Sequence, residues 1–277
     1  MDERYASLDC LTLWGGIGCG HRFHSAIDND FRKFILNQID EARRVRQERR
    51  KDRNLRNVIK SLSERGLEIV DKLTGYDEND VVGLTGEIVM EDFIVDLSFE
   101  PVFPKWRYSG TSKSRGIDLV ARKRFGDDWE LVLYEAKHLH DEIRNQRAEL
   151  CHNSIRSRFK TGMEGFELDK TRFDLANILG KMGDSIRLSE AAGSDATLIR
   201  EYRNLISEGL SKDSYSVNVV AFADAKHCND TTFQRSVTEI PIPLQVGRNH
   251  SANLTLIESA HLEETTEEVY AIFAGAF

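Results

Sequence analysis

The sequence contains no apolar run that approaches the ~20 residues a helix needs to span a lipid bilayer. Its four cysteines are scattered along the chain, which favours reduced thiols over a disulfide framework. The first residues, MDERYASLD, are acidic and polar, unlike the apolar centre of a secretory signal. Together these absences predict a cytoplasmic protein that does not contact membranes.

The sequence also lacks an excess of positive charge. Its 46 acidic and 38 basic residues give a net charge of −8. Such a chain binds nucleic acid only through a local basic patch or with the help of a partner. The segment RRVRQERRKDRNLR (43–56) carries eight basic and two acidic residues. A solvated helix face is the favoured interpretation of this run, and a handle for nucleic acid is the alternative.

The first third of the chain predicts a long helix after an irregular stretch. Within residues 1–30, WGGIGCGH has four glycines among eight residues, which indicates irregular structure. Phe31, Phe34, Ile35 and Ile39 then follow helical spacing, with no glycine or proline before Gly66. The polar, turn-rich GYDENDVVG marks a boundary. We therefore predict an irregular and helical amino-terminal segment over 1–75 and a second domain over 76–277.

The second domain predicts a mixed α/β core. LTGEIVMEDFIVDL predicts a helix, and PVFPKWRY predicts an edge strand because its prolines cannot donate to a ladder. GIDLVARKRF and WELVLYEAKH predict two strands joined by the turn GDD (126–128). The rest predicts helices over most of 141–210, a strand at YSVNVVAFAD and further strands at SVTEIPIPLQV and ANLTLIESA. TTEEVYAIFAGAF predicts a last amphipathic helix or a tail.

The predicted hairpin brings acidic residues together. A turn centred on Gly126 and Asp127 would place Asp118 opposite Glu135, with Cβ atoms ~4.5–5.5 Å apart. Two facing carboxylates repel, so a divalent metal between them is the economical explanation. Lys137 lies two residues beyond Glu135 and projects from the same face. Glu87, near the start of the preceding helix, can direct a third carboxylate at the same place.

Three short segments, GE in GLTGE, GID and EAK, together resemble the PD-(D/E)xK nuclease superfamily, also called restriction-endonuclease-like. Ile117–Asp118 stands where the superfamily name has Pro–Asp. The resemblance covers roughly residues 83–160 and implies an αβββαβ core, here with a helical amino-terminal extension. By position it implies that Asp118 and Glu135 ligate Mg²⁺ or Mn²⁺, with Glu87 as an accessory ligand. It also implies that Lys137 orients or activates the attacking water.

Within this superfamily, GLTGEIVMEDFI, RGIDLVAR and LYEAKH are similar to the HamA family, the nuclease subunits of Hachiman anti-phage defence. That resemblance implies metal-dependent hydrolysis of DNA, restrained and triggered through a helicase subunit, HamB. The acidic composition is consistent with reliance on a partner that handles DNA. Two alternatives stay open: a non-catalytic docking module of the same fold, and a nuclease directed at RNA or at repair, since the sequence does not separate DNA from RNA.

Other constellations are weaker. FADAKH (222–227) has the same spacing of an acid and a lysine as YEAKH, but no earlier carboxylate pairs with it through an obvious hairpin. Cys10, Cys19, His21 and His24 are types that bind zinc, yet their spacing departs from common zinc fingers. Unrelated residues in a glycine-rich segment are therefore favoured there. The basic residues proposed for phosphate contact are Lys113, Arg115, Arg122, Arg144 and Arg147.

Overall fold

A computed structural model describes residues 4–26, 29–58, 78–109, 116–125, 128–138, 148–241 and 251–274. Its strands are β1 (Tyr5–Leu13), β2 (Gly18–Ser25), β3 (Glu100–Pro104), β4 (Leu119–Phe125), β5 (Asp128–His138), β6 (Ser216–Asp224) and β7 (Ala252–Ser259). Its helices are α1 (Asn29–Val58), α2 (Glu78–Asp96), α3 (Lys105–Ser109), α4 (Ala148–Glu164), α5 (Leu168–Ala191), α6 (Thr197–Lys212), α7 (Asp230–Thr238) and α8 (Leu262–Ala274). The predicted α/β class is confirmed.

The strands form one seven-stranded sheet in the order β1-β2-β7-β6-β5-β4-β3. The central strands β2, β7, β6 and β5 run parallel to one another, while β1 on one side and β4 and β3 on the other pair antiparallel. Strand β6 shows why the sheet is buried on both faces. Its residues Val217 and Val219 belong to one hydrophobic cluster, and Val220 and Phe222 belong to the other. Helices α4 to α7 cover the first face, and α1, α2, α3 and α8 cover the second.

The amino-terminal segment differs from its prediction. Helix α1 is present, with Phe31, Ile35 and Ile39 buried at helical spacing, but residues 5–25 form the β1–β2 hairpin rather than irregular structure. The glycines have a packing reason: a Cβ placed on Gly18 would lie 1.8 Å from the Ala252 carbonyl oxygen. Because β2 pairs with β7, strands from both predicted segments belong to one sheet. The division at residue 76 stays a prediction.

Strand β3 is the edge strand that its prolines predict, but it is shorter than predicted. It ends at Pro104, and residues 105–109 turn into the short helix α3 instead of continuing the strand. This turn matters because it buries Lys105, which is only 3% exposed. Among the helices of the described residues, none is both long and apolar enough to cross a bilayer.

Helix α4 packs closely on the sheet at Gly162, and this contact gives a stability prediction. A Cβ there would lie 2.5 Å from Cγ1 of Val219, in the middle of β6. Gly162→Ala should therefore destabilise the fold by about 1–3 kcal/mol through overpacking, despite the better helix propensity of alanine. Urea unfolding followed by circular dichroism measures the change.

Gly180 in α5 provides the matched control, because nothing lies within 4 Å of a Cβ built on it. Gly180→Ala should stabilise the protein by about 0.5–1 kcal/mol, since alanine is the better residue within a helix. Equal effects of the two substitutions would contradict the close contact between α4 and β6.

Candidate active site

The β4–β5 hairpin has the register that the predicted turn requires. Leu119 pairs with Tyr134 and Phe125 with Asp128, while the turn residues themselves lie outside the described residues. Asp118 comes immediately before β4, and its N–H donates to the Tyr134 carbonyl at 3.1 Å. Its Oδ2 accepts from the N–H of Ala136 at 2.8 Å. The Asp118 carboxylate thus lies against the segment of β5 that carries Glu135 and Lys137.

Glu135 and Lys137 form an ion pair on β5, as expected for residues two apart on a strand. Lys137 Nζ lies 2.5 Å from Glu135 Oε1, and the two side chains are 19% and 20% exposed. This partial exposure distinguishes them from the rest of the cluster, because it leaves them within reach of solvent and of a substrate.

Glu87 enters the cluster from helix α2. Every residue of α2 from 84 to 91 is buried, so the helix runs through the interior between the sheet and its neighbours. Glu87 is 3% exposed, and its Oε1 lies 3.1 Å from Lys105 Nζ. Its Oε2 is buried and has no hydrogen-bond partner. One turn later, Glu91 accepts from Trp106 Nε1 at 2.7 Å and from Arg107 at 2.6 Å, which fixes α2 against α3.

Lys105 is a central member of the cluster that sequence reasoning missed. Its Nζ contacts both Glu87 Oε1 and Asp118 Oδ1, and its backbone N–H donates to the Asp118 carbonyl at 2.8 Å. One lysine therefore joins α2, α3 and the start of β4. The sequence holds one signal for this role: Pro104 stops the strand, so the following residue can leave the ladder.

Burial and mutual repulsion control the charges of these acids. Burial, with Asp118 and Glu135 nearby, raises the pKa of Glu87 to about 8, although Lys105 opposes the shift. Burial and the Asp118 charge raise the pKa of Glu135 to about 7, with Lys137 acting in the opposite direction. Burial alone would lower the pKa of Lys105, but Asp118 and Glu87 outweigh it and raise that pKa above its usual value. The cluster thus holds more acidic groups than its two lysines neutralise.

The donor set of the cluster fits a hard divalent cation. All three acids offer oxygen, which Mg²⁺ and Mn²⁺ prefer, and the buried Glu87 Oε2 has no partner of its own. Among the described residues, the oxygens of Glu87, Asp118 and Glu135 are not a group lying mutually within 4.8 Å. Mg²⁺ does not need such a cage, because it is commonly held by one or two carboxylates, waters and substrate phosphates.

The other predicted constellations take different places. Asp224 is buried and caps a short 3-10 turn by accepting from the N–H of Lys226 at 3.2 Å, a structural role. Arg122 donates to Glu100 and Glu201 and lies over the ring of Trp129, so carboxylates already occupy its guanidinium. The remaining basic residues proposed for phosphate contact, namely Lys113, Arg115, Arg144 and Arg147, lie outside the described residues.

The glycine-rich segment does bring metal-ligand types together. Cys10, Cys19 and His21 converge on the β1–β2 hairpin, although the sequence favoured unrelated residues there. His24 is not part of this group. The pairing of β1 with β2 brings these residues together. The sequence did not predict this pairing because the glycines indicated irregular structure.

In comparisons with known proteins, no model of a protein family, no curated protein and no solved structure matches the chain.

Proposed function

We propose that this protein is a Mg²⁺-dependent deoxyribonuclease of the PD-(D/E)xK type. The observation that carries the proposal is the cluster of Glu87, Asp118, Glu135 and Lys137, drawn from helix α2, the residue that precedes β4, and strand β5. A purely structural network would be expected to satisfy its buried acceptors, whereas Glu87 Oε2 has no hydrogen-bond partner. A cluster of titratable groups with shifted pKa values is also typical of a catalytic site.

Each residue has a distinct role in this proposal. Asp118, Glu135 and Glu87 would hold the ion, which when bound supplies Lewis acidity and lowers the pKa of bound water. Lys137, part exposed and beside Glu135, would donate to the attacking water and orient it toward the phosphorus. Lys105 is a positioning residue, since it keeps Glu87 and Asp118 together without reaching solvent.

The proposal gives a metal dependence that can be measured. Incubation of the protein with plasmid DNA should give cleavage with Mg²⁺ or Mn²⁺, none after EDTA, and none with Ca²⁺, which favours looser coordination with more ligands. The products should carry 5′-phosphates, and fragments that ligate without kinase treatment test this directly. Cleavage that persists in EDTA, or DNA fragments that carry a 3′-phosphate instead of a 5′-phosphate, would mean that the reaction is not the proposed metal-assisted hydrolysis. A parallel incubation with RNA separates the RNA-directed alternative.

We further propose that the nuclease is the effector of an anti-phage defence complex and acts with a HamB-like helicase. The net charge of −8 supports dependence on a partner for DNA recognition. The isolated chain should therefore bind DNA weakly, and binding should weaken further as salt is raised. Fluorescence anisotropy with labelled duplex DNA measures this. Tight binding at moderate salt without any partner would contradict the proposal.

A further inference from the structure

The β1–β2 hairpin gathers two thiols and an imidazole at one side of the sheet. Cys10 lies directly opposite His21, and Cys19 lies opposite Thr12, so Cys19 is diagonal to Cys10 on the same face. The two Sγ atoms and a ring nitrogen of His21 all lie within 4.8 Å of one another. Within the part of the chain that the structure describes, no other three cysteine, histidine or acidic side chains come this close together.

These separations are close to what a zinc ion requires. In tetrahedral sites Zn–S distances are about 2.3 Å and Zn–N distances about 2.0–2.1 Å, so neighbouring ligand atoms lie about 3.5–3.8 Å apart. Rotation of the exposed Cys10 side chain can close the remaining difference. The pairing register of β1 and β2 already places Cys10, Cys19 and His21 on the same face of the hairpin.

The chemical state of the three residues also suits a soft metal. Zn²⁺ prefers thiolate sulfur and imidazole nitrogen, which are the two donor types that these residues supply. Cys10 and Cys19 are free thiols, and Cys10 is exposed, which gives an ion a route of entry. Thiolate and imidazole favour Zn²⁺ over Mg²⁺, so this position and the acidic cluster of Glu87, Asp118 and Glu135 prefer different ions.

His24 does not complete the set. Along a strand, residues three apart point to opposite faces, so His21 and His24 lie on different sides of β2. The three protein ligands therefore leave a fourth position, which water can fill in a tetrahedral site.

We propose that Cys10, Cys19 and His21 bind one Zn²⁺ ion, with water as the fourth ligand, and that the ion fastens β1 to β2. Among the described strands, β1 lies at one edge of the sheet and pairs only with β2, so it depends on this single ladder. The connection between the strands is strained, because Trp14 has φ of 51° and is not glycine. An ion joining Cys10 to Cys19 and His21 would tie the two strands together close to that connection.

Zinc content tests the proposal. The full chain, purified without a polyhistidine tag and kept reduced, is incubated with Zn²⁺, dialysed and measured by inductively coupled plasma mass spectrometry. We expect about one zinc per chain in the wild type and a loss of most of it in Cys10→Ser, Cys19→Ser and His21→Asn. The matched controls His24→Asn, Cys228→Ser and Glu135→Ala should keep the zinc, the last because it removes a ligand of the other site.

Two further measurements make the outcome decisive. Co²⁺ added to the wild type should give thiolate-to-metal charge-transfer absorption that is missing in Cys10→Ser. Removal of zinc with a chelator should lower the melting temperature of the wild type and leave that of Cys10→Ser and His21→Asn unchanged. The proposal is overturned if the wild type retains no zinc, if the three ligand variants retain as much as the controls, or if a Cys10–Cys19 disulfide forms equally fast with and without Zn²⁺.

Discussion

Glu135→Ala and Lys137→Ala should each reduce Mg²⁺-dependent DNA cleavage by roughly 10²–10⁴-fold, the range expected when a charged group acting on the reacting atoms is removed. Both side chains are partly exposed and lie outside the two hydrophobic clusters, so truncation leaves no core cavity. Their ion pair contributes at most about 1 kcal/mol because solvent reaches it. The variants should therefore lose activity and keep the fold.

Steady-state cleavage of a labelled duplex, together with thermal unfolding of each variant, checks both halves of this expectation. Lys226→Ala is the matched control. It removes a lysine from the similar segment FADAKH, where Asp224 serves as a cap rather than as part of the acidic cluster. Lys226→Ala should cleave at the wild-type rate. Full cleavage by both Glu135→Ala and Lys137→Ala would move attention to Asp224 and Lys226.

The acidic hairpin could be predicted because its determinants are local. A short turn fixes the register, and the register alone brings Asp118 to β5. The helical spacing of Phe31, Ile35 and Ile39 likewise describes a local periodicity, and each of these side chains is buried in α1. Where neighbours in the sequence are neighbours in space, the pattern predicts the structure.

The β1–β2 hairpin could not be predicted because the residue that requires a glycine in β2 lies more than 200 positions away in the sequence. Gly18 is needed where β2 approaches the start of β7, and that contact is invisible in the local sequence. Glycine-rich segments indicate irregular structure on average, but a close backbone approach requires the same residue. The proximity of Cys10 to His21 was missed for the same reason, since it follows from the pairing of the strands.

Lys105 was missed for a different physical reason. Lysine is almost never fully buried unless it is paired, so a lysine in a predicted edge strand is expected to be exposed. Only the fold reveals that Glu87 and Asp118, 18 residues before and 13 after it, reach the same ammonium group. The sequence therefore predicted the acids of the site but not the cation that keeps them together.

Lys105→Met should destabilise the protein by about 3–5 kcal/mol, the usual effect of removing one partner from a buried ion pair. Methionine retains most of the length and apolar volume of lysine, so the loss reports the ammonium group rather than a cavity. The substitution removes the ammonium group that contacts Asp118 Oδ1 and Glu87 Oε1. Glu87 would then lose its charged partner at Oε1, while its Oε2 already has no hydrogen-bond partner. Urea unfolding monitored by tryptophan fluorescence measures the difference.

The matched control for this experiment is Lys137→Met, in the second lysine of the same cluster. The Lys137 side chain is 19% exposed where the Lys105 side chain is 4% exposed, so Lys137 loses less hydration in its ion pair. Glu135, whose pKa burial raises to about 7, can take up a proton when Lys137 is removed. The cost of Lys137→Met should stay at or below about 1 kcal/mol. A double variant, Lys105→Met with Glu87→Gln, should recover part of the lost stability, because it removes one of the two carboxylates that Lys105 contacts. Equal destabilisation by Lys105→Met and Lys137→Met would show that Lys105 does not hold the site together, and the acids would then have to be positioned by the backbone of α2 and β4 alone.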